Sequence, residues 1–314
     1  MTRKILKLNL KSKKASIPAD EVIKAEAHMD PQKRFLSGVA INPYECINLE
    51  SGSKEFSTRA MDLFTPIGMG QRGLIVAPPG SGKTTMLKHI CQSVGKAYPE
   101  IKLYALLIDE RPEEVTDFKR SVPAKVHASS TDDSYDQHVR VANNLLNIAR
   151  KEAGEGHNVM IVIDSLTRLT RVHNASGKGS GRTMSGGIDA SAMAIPRKLF
   201  GAARKIENGG SLTILATILV DTGSRMDQVI FEEFKGTGNM EVVLSREAAG
   251  QRIFPALDIA KSSTRREELL LNAKDLKKVR VLRRALTDLK PVEGARELVE
   301  LLEEYPTNAE LLNR

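Results

Sequence analysis

Four short, uninterrupted apolar runs recur along the chain: Gly73–Ala77 (GLIVA), Leu103–Asp109 (LYALLID), Val159–Asp164 (VMIVID) and Leu212–Val220 (LTILATILV). Loops and stretches with apolar residues at helical spacing separate them, as in His138–Lys151 (HVRVANNLLNIARK). Strands that are apolar on both faces and alternate with helices predict an α/β fold. Its central sheet is expected to be mainly parallel and covered by helices on both sides. Two later segments, Met240–Ser245 (MEVVLS) and Arg252–Ile259 (RIFPALDI), are expected to extend that sheet as antiparallel strands. The spacing from Lys274 onward (KDLKKVRVLRRAL) predicts a small helical region over 270–314. Residues 1–40 are basic and weakly patterned, with a short helix expected at Ala19–Met29. They hold too few apolar positions for a core and read as a flexible basic arm before a domain over 41–314.

The first apolar run stops abruptly at Ala77-Pro-Pro-Gly-Ser-Gly-Lys-Thr84, which matches the phosphate-loop pattern G-x-x-x-x-G-K-[ST] except for Ala at its first position. A glycine-rich turn between strand and helix lets successive N–H groups face phosphates, and the positive end of the helix adds to the attraction. Pro79, Gly80, Ser81 and Gly82 form that loop; Lys83 can reach the terminal phosphates, and the Thr84 hydroxyl can ligate Mg2+. Asp164, ending another apolar run, is the candidate acid for the same metal, with a helix cap as its ordinary alternative. The run ending Leu-Ile-Asp-Glu-Arg offers a carboxylate to polarise water in line with a γ-phosphate. Spacing alone leaves Glu110 and Asp109 almost equal for that role, and Glu113 and Glu114 read as solvated.

Composition narrows the setting. Of 314 residues, 41% are hydrophobic and 27% charged, ample for a large core. No stretch approaches the roughly 18 apolar residues of a membrane span. Cys46 and Cys91 stand far apart, which argues against zinc and disulfide frameworks and fits a reducing cytoplasm. The formal charge of +8 suits a polyanion partner and equally a solvated basic surface. Two loops carry cations and hydroxyls suited to a phosphodiester strand: His173–Gly187, with Lys178, Arg182, Thr183, Ser185 and Gly186, and Leu219–Asp227, with Thr222, Gly223, Ser224 and Arg225. Neither has an aromatic platform for base stacking, and flexible loops without a ligand are the plain alternative. Arg265 and Arg266 precede Glu267 and Glu268, so an ion pair is the simplest reading; an arginine finger acting across a subunit boundary is the other.

GQRGLIVAPP…GKT, LLIDERPEEVTDF, IDSLTRL, SGGIDASAM, GGSLTILATILVDTGS, EEFKGTGNMEVVLSR and RIFPALDI…SSTRREELL, in this order, resemble the bacterial transcription termination factor Rho family from about Ile41 onward. The resemblance implies a RecA-like P-loop NTPase, an RNA-dependent ATPase and helicase that acts in the cytoplasm. It implies a homohexameric ring threaded by single-stranded RNA, with ATP and Mg2+ between subunits. RNA polymerase and elongation factors are its candidate partners. It implies Glu110 as the water-activating carboxylate and Arg265 as a finger acting in trans. Arg252 would sense the neighbour's phosphate, Phe254 would stack on adenine, and Arg111 and Arg168 would join the network around the nucleotide. The two loops would line the pore, with Arg182 and Arg225 as their principal cations. Three features depart from the family. Thr85 replaces a methionine near the adenine, and Arg182 replaces a lysine. The basic arm stands where the family's cytosine-binding barrel is expected. A truncated regulatory subunit that joins a full-length Rho without loading RNA is the alternative function.

Overall fold

The computed structural model describes residues 29–175 and 185–314; the expected helix at Ala19–Met29, apart from Met29 itself, and Lys178, Arg182 and Thr183 lie outside the described residues. The chain runs α1 (Pro31–Ser37), β1 (Ala40–Ile41), β2 (Cys46–Ile47), α2 (Phe56–Phe64), β3 (Ile67–Gly68), β4 (Arg72–Ala77), α3 (Lys83–Ala97), β5 (Lys102–Glu110), α4 (Pro112–Ser121) and β6 (Lys125–Ser130). It continues through α5 (Tyr135–Gly154), β7 (Asn158–Asp164), α6 (Leu166–Ala175), α7 (Ala194–Phe200), β8 (Arg204–Ile206), β9 (Ser211–Leu219), α8 (Arg225–Phe234), β10 (Met240–Val243) and α9 (Arg246–Gly250). The last elements are β11 (Ser263–Thr264), α10 (Ala273–Thr287), α11 (Pro291–Glu304) and α12 (Asn308–Leu312).

Alternation along the strands explains their apolar runs. Ile75 and Ala77 of β4, with Leu103, Ala105 and Leu107 of β5, face a core shared with α2, α3, α4 and the last helices. Leu74 and Val76, with Tyr104, Leu106 and Ile108, face the opposite core, shared with α5, α6 and α8. Both faces of the sheet are therefore dry, so the strand positions between them are mostly apolar, and the polar ones, such as Thr217 and Asp164, are hydrogen-bonded.

The sheet order is β11-β10-β4-β9-β7-β5-β6, with β8 paired to the start of β9 and to β1. All neighbours from β10 to β6 run parallel, so Ala77, Glu110, Asp164 and Leu219 end their strands at one edge. The chain leaves β4 through α3 and re-enters at β5, two strands beyond its neighbour β9. That crossover opens a crevice at the carboxyl ends, where ligands of such sheets bind.

The expected antiparallel additions are corrected. Met240–Val243 pairs parallel with β4, because α8 carries the chain back from β9 before it re-enters the sheet. In Arg252–Ile259 the left-handed backbone at Arg252 (φ 61°) and the missing N–H of Pro255 leave a single bridge, Leu244 to Leu257. The antiparallel strand at this edge is β11.

The basic segment before Ile41 is packed where it is described. Phe35 is buried, and a Cβ on Gly154 would stand 1.8 Å from the Pro31 carbonyl oxygen, so α1 lies directly on the end of α5. No helix among the described residues is long and apolar enough to cross a membrane.

Arg59 ties α2 to the last helices. It is 1% exposed, and its Nη1 and Nη2 donate to the carbonyls of Leu302 and Tyr305 at 2.6 Å each. These carbonyls belong to the end of α11, where no helical N–H reaches them. Arg59→Met is expected to lower stability by about 3 kcal/mol, since it leaves buried acceptors and Glu50 without their cation. A urea titration in which the midpoint does not move would refute this role.

Candidate nucleotide site

β4 ends at Ala77, and the chain turns through two left-handed glycines, Gly80 (φ 76°) and Gly82 (φ 90°), before Lys83 opens α3. A Cβ on Gly80 would meet no atom within 4 Å, so the backbone conformation alone demands glycine there. Ser81 steadies the turn: its hydroxyl donates to the Pro78 carbonyl at 2.7 Å. Pro79, Gly80 and Gly82 border a cavity of ≈ 560 Å3 together with Lys83, Glu110 and Arg168.

Asp164 gathers the next group. Lys83 Nζ donates to its two oxygens at 2.8 and 2.6 Å, and the Thr84 hydroxyl to Oδ2 at 3.2 Å. From β9 the Thr217 hydroxyl donates to Oδ1 at 2.8 Å. A buried carboxylate requires such company, because an isolated buried charge is costly. Thr84 and Asp164 offer the hard oxygen donors that magnesium takes. Among the described residues no cluster of three or more His, Cys, Asp or Glu is arranged to hold a metal alone. An ion held largely by phosphate and water oxygens suits that donor set.

The structure separates the two acids that end β5. Asp109 adopts a left-handed backbone (φ 56°), and the pairing with β6 slips between Ile108 and Glu110. This bulge turns the two neighbours out of simple alternation. Glu110 is 3% exposed, whereas the Asp109 side chain remains 35% exposed. Arg168 of α6 stands over both: Nη1 donates to the Asp109 carbonyl, and Nη2 lies 2.9 Å from Glu110 Oε1. That ion pair lacks the alignment of a hydrogen bond, so both Glu110 oxygens are buried without a donor. Burial, and then the Asp164 charge, raise the Glu110 carboxyl from 4.5 to about 7 against the opposing pull of Arg168 and Lys83. A carboxyl tuned toward neutrality with unspent acceptor capacity is suited to hold and polarise a water.

A second cavity of ≈ 540 Å3 lies on the other side of the glycine turn. Phe254 forms one wall, and its ring would lie 3.5 Å from a Cβ on Gly82. Thr85 borders both cavities. Ser57 and His89 line this second cavity, paired at 2.8 Å, and Glu55 lies 3.8 Å from the His89 ring. Sequence reasoning missed His89, although it follows Thr85 by one helical turn and so shares its face. Arg171 was missed in the same way, three residues after Arg168. It borders the phosphate-side cavity and pairs with Asp227, Nε to Oδ1 at 2.8 Å. Nothing local in the sequence marked Asp227 or Thr217.

The other expected residues are distributed as follows. Arg111 caps α4, with Glu114 at 4.0 Å, and borders the phosphate-side cavity. Arg252 and Arg265 are exposed and border neither cavity. The Arg265 backbone N–H bonds to Asn239, beside the start of β4. It is Arg266 that pairs with Glu268, at 2.5 Å. Thr222 turns inward and donates to Asp227 Oδ2 at 2.5 Å, the Ser224 hydroxyl caps α8, and Arg225 is exposed. Ser185 and Gly186 pack against that turn: a Cβ on Gly186 would stand 3.0 Å from the Arg225 carbonyl oxygen.

Residues 57–264 match the family model of the ATP synthase alpha/beta family, nucleotide-binding domain. The chain is 46% identical to the transcription termination factor Rho of Rhodopirellula baltica over 92% of its own length and 58% of that protein's. It is 49% identical to the Rho of Streptomyces coelicolor over 89% of this chain and 68% of that one. A solved ATPase from the type III secretion system of pathogenic bacteria shares the fold, with a TM-score of 0.71 and 24% identity over 88% of this chain and 85% of the other. The chain belongs to the transcription termination factor Rho family, and it spans less than two thirds of several relatives' length, 58% in Rhodopirellula baltica.

The raised Glu110 carboxyl has a consequence for folding. The native state holds its proton to higher pH than the unfolded chain, so this group's contribution is greatest below about pH 4.5 and is lost as pH rises through about 7. Glu110→Gln removes that loss. The melting temperature of the variant relative to the parent is expected to climb between pH 5 and pH 8; a constant difference across that range would show that burial does not perturb the group.

Proposed function

We propose, from membership of the Rho family, that the chain hydrolyses ATP at a site completed by a neighbouring copy in a ring. Hydrolysis drives movement along single-stranded RNA and the release of transcripts. One observation carries the reading. Lys83, Thr84, Asp164 and Glu110 converge at the carboxyl end of the sheet. Arg265 stands at the opposite end of β4, six residues or roughly 20 Å away. A single copy therefore holds all the hydrolytic groups except the cation for the developing charge, and that cation points out of the molecule.

Within this reading the adenine enters the cavity walled by Phe254 and meets the polar edge of Ser57 and His89. The N–H groups of Pro79-free turn residues Gly80 to Thr84 cradle the phosphates, and Lys83 moves from Asp164 to the terminal oxygens. Magnesium, when bound by Thr84 and Asp164, neutralises charge on the phosphates. Glu110 orients the attacking water and accepts its proton, while Arg168 holds the strand end that carries it. Arg265 of the next copy, with Arg252, balances the charge on the γ-phosphate.

The coupling to RNA runs through Arg171. Its guanidinium borders the phosphate-side cavity and grips Asp227, which also receives the Thr222 hydroxyl. Movement of α6 at hydrolysis is thereby handed to the turn that carries Gly223, Ser224 and Arg225, and through Gly186 to the loop with Lys178, Arg182, Thr183 and Ser185. These cations and hydroxyls contact the RNA backbone, so binding weakens steeply with salt. RNA polymerase and its elongation factors are the expected partners of transcript release.

Arg265→Ala tests the assignment. RNA-stimulated hydrolysis, assayed with poly-cytidine and poly-uridine, is expected to fall by about a thousandfold or more, while ATP binding by the monomer stays near the parent's. Unchanged turnover would remove the role in trans.

A further inference from the structure

Four arginines gather at the amino end of the sheet without a carboxylate. Arg72 opens β4 and Arg204 opens β8; together with Asn42, Gly70 and Asn239 they line a cavity of ≈ 560 Å3. Arg150 of α5 is buried behind them, and Arg265 is close enough for its charge to act on Arg72. Burial, with the charges of Arg204 and Arg265, pushes the Arg72 guanidinium below its ordinary value, and burial with Arg204 does the same to Arg150. Arg72 Nε and Arg150 Nε are both buried with no acceptor. Arg204 donates Nε to the Ala202 carbonyl at 3.3 Å and lies over the Phe35 ring at 5.5 Å, contacts that satisfy packing and leave the charge unbalanced. Among the described residues no acid pairs with any of the four, and Glu45 nearby is held by Lys205 at 2.7 Å.

Unbalanced, partly desolvated cations are stabilised by an anion brought from outside. Arg265 shares this end of the sheet, so the surface that meets Arg265 also meets the recess. On the proposed reading, which this inference rests on, that surface is the nucleotide edge of the next copy. Among the acids at that edge, the pair beside the phosphate-side cavity opens α4, immediately after Glu110 and Arg111: Glu114 borders that cavity and is half-exposed, and Glu113 is exposed and unpaired among the described residues. We propose that the Arg72–Arg204 recess of one copy receives Glu113 and Glu114 of the next. The contact joins two different surfaces of the same chain, head to tail, as closure of a ring requires. It also places Arg265 in register with the neighbour's triphosphate, so assembly and completion of the hydrolytic site depend on one set of ion pairs.

Charge exchange tests the pairing. Assembly is followed by light scattering with a non-hydrolysable ATP analogue and poly-cytidine RNA over a salt series. Arg204→Glu is expected to raise the concentration for half-assembly by about tenfold or more, and Glu113→Arg to do likewise. The two changes combined in one chain should restore assembly toward the parent. Arg72→Gln, which removes charge without reversing it, should show a smaller loss and guards against a folding defect in the reversal, with circular dichroism melting as the control. If the parent assembles and Arg204→Glu and Arg72→Gln assemble equally well, the recess is not the contact, and the ring reading stands without it. Failure of the combined variant to recover while each single change weakens assembly overturns the pairing with Glu113. A parent that remains monomeric with nucleotide and RNA overturns the ring reading itself.

Discussion

A buried carboxylate at the end of a central strand is the constraint around which this molecule is organised. Asp164 is 1% exposed and cannot stand alone in so dry a place. Lys83 and Thr84 from the glycine turn and Thr217 from the neighbouring strand supply its partners. That requirement locks three separate strand ends into one register. It also keeps an ammonium and a hydroxyl poised where a triphosphate and its metal would need them, so the contacts that stabilise the unliganded edge are the ones a nucleotide would reorganise.

Parallel strands impose a polarity on everything else. Their carboxyl ends collect Lys83, Thr84, Asp164 and Glu110, the groups proposed to act on phosphate, and their amino ends collect Arg72, Arg204 and Arg265. The buried Glu110 and Asp164 lie at one end of the sheet, and Arg72 and Arg204, unpaired with any acid among the described residues, at the other. A chain so polarised is complementary to a copy of itself placed head to tail. The ring proposed here and the recess proposed within it both follow from that asymmetry. Arg171, joined to Asp227, then offers a mechanical link from the phosphate edge to the turn proposed to touch RNA.

Much of this was legible along the chain, and the misses are instructive. The unbroken apolar runs announced a sheet covered on both faces, because a strand between two dry layers admits a polar side chain only where a partner satisfies it, as Thr217 does for Asp164. The glycine turn was legible because left-handed backbone leaves few residue choices. Met240–Val243 was misjudged as antiparallel, since strand direction depends on how the intervening helix returns the chain and not on the strand's own residues. Asp109 and Glu110 could not be told apart by spacing; the bulge at Asp109 buries Glu110 and leaves the Asp109 side chain 35% exposed. Ser57 and His89 escaped notice because they come from different helices, and their pairing at 2.8 Å exists only once α2 lies against α3.

The sequence by itself therefore determined the layered fold, the phosphate turn and the set of residue types available for chemistry, because each depends on local preferences and on which side chains tolerate water. The tertiary structure alone decided which carboxylate is buried without a donor, which arginine of the Arg265–Arg266 pair is tied to Glu268, and which cations are left unbalanced. Those outcomes are set by distances between segments far apart in the chain, and by how much water each site loses when the segments close on one another.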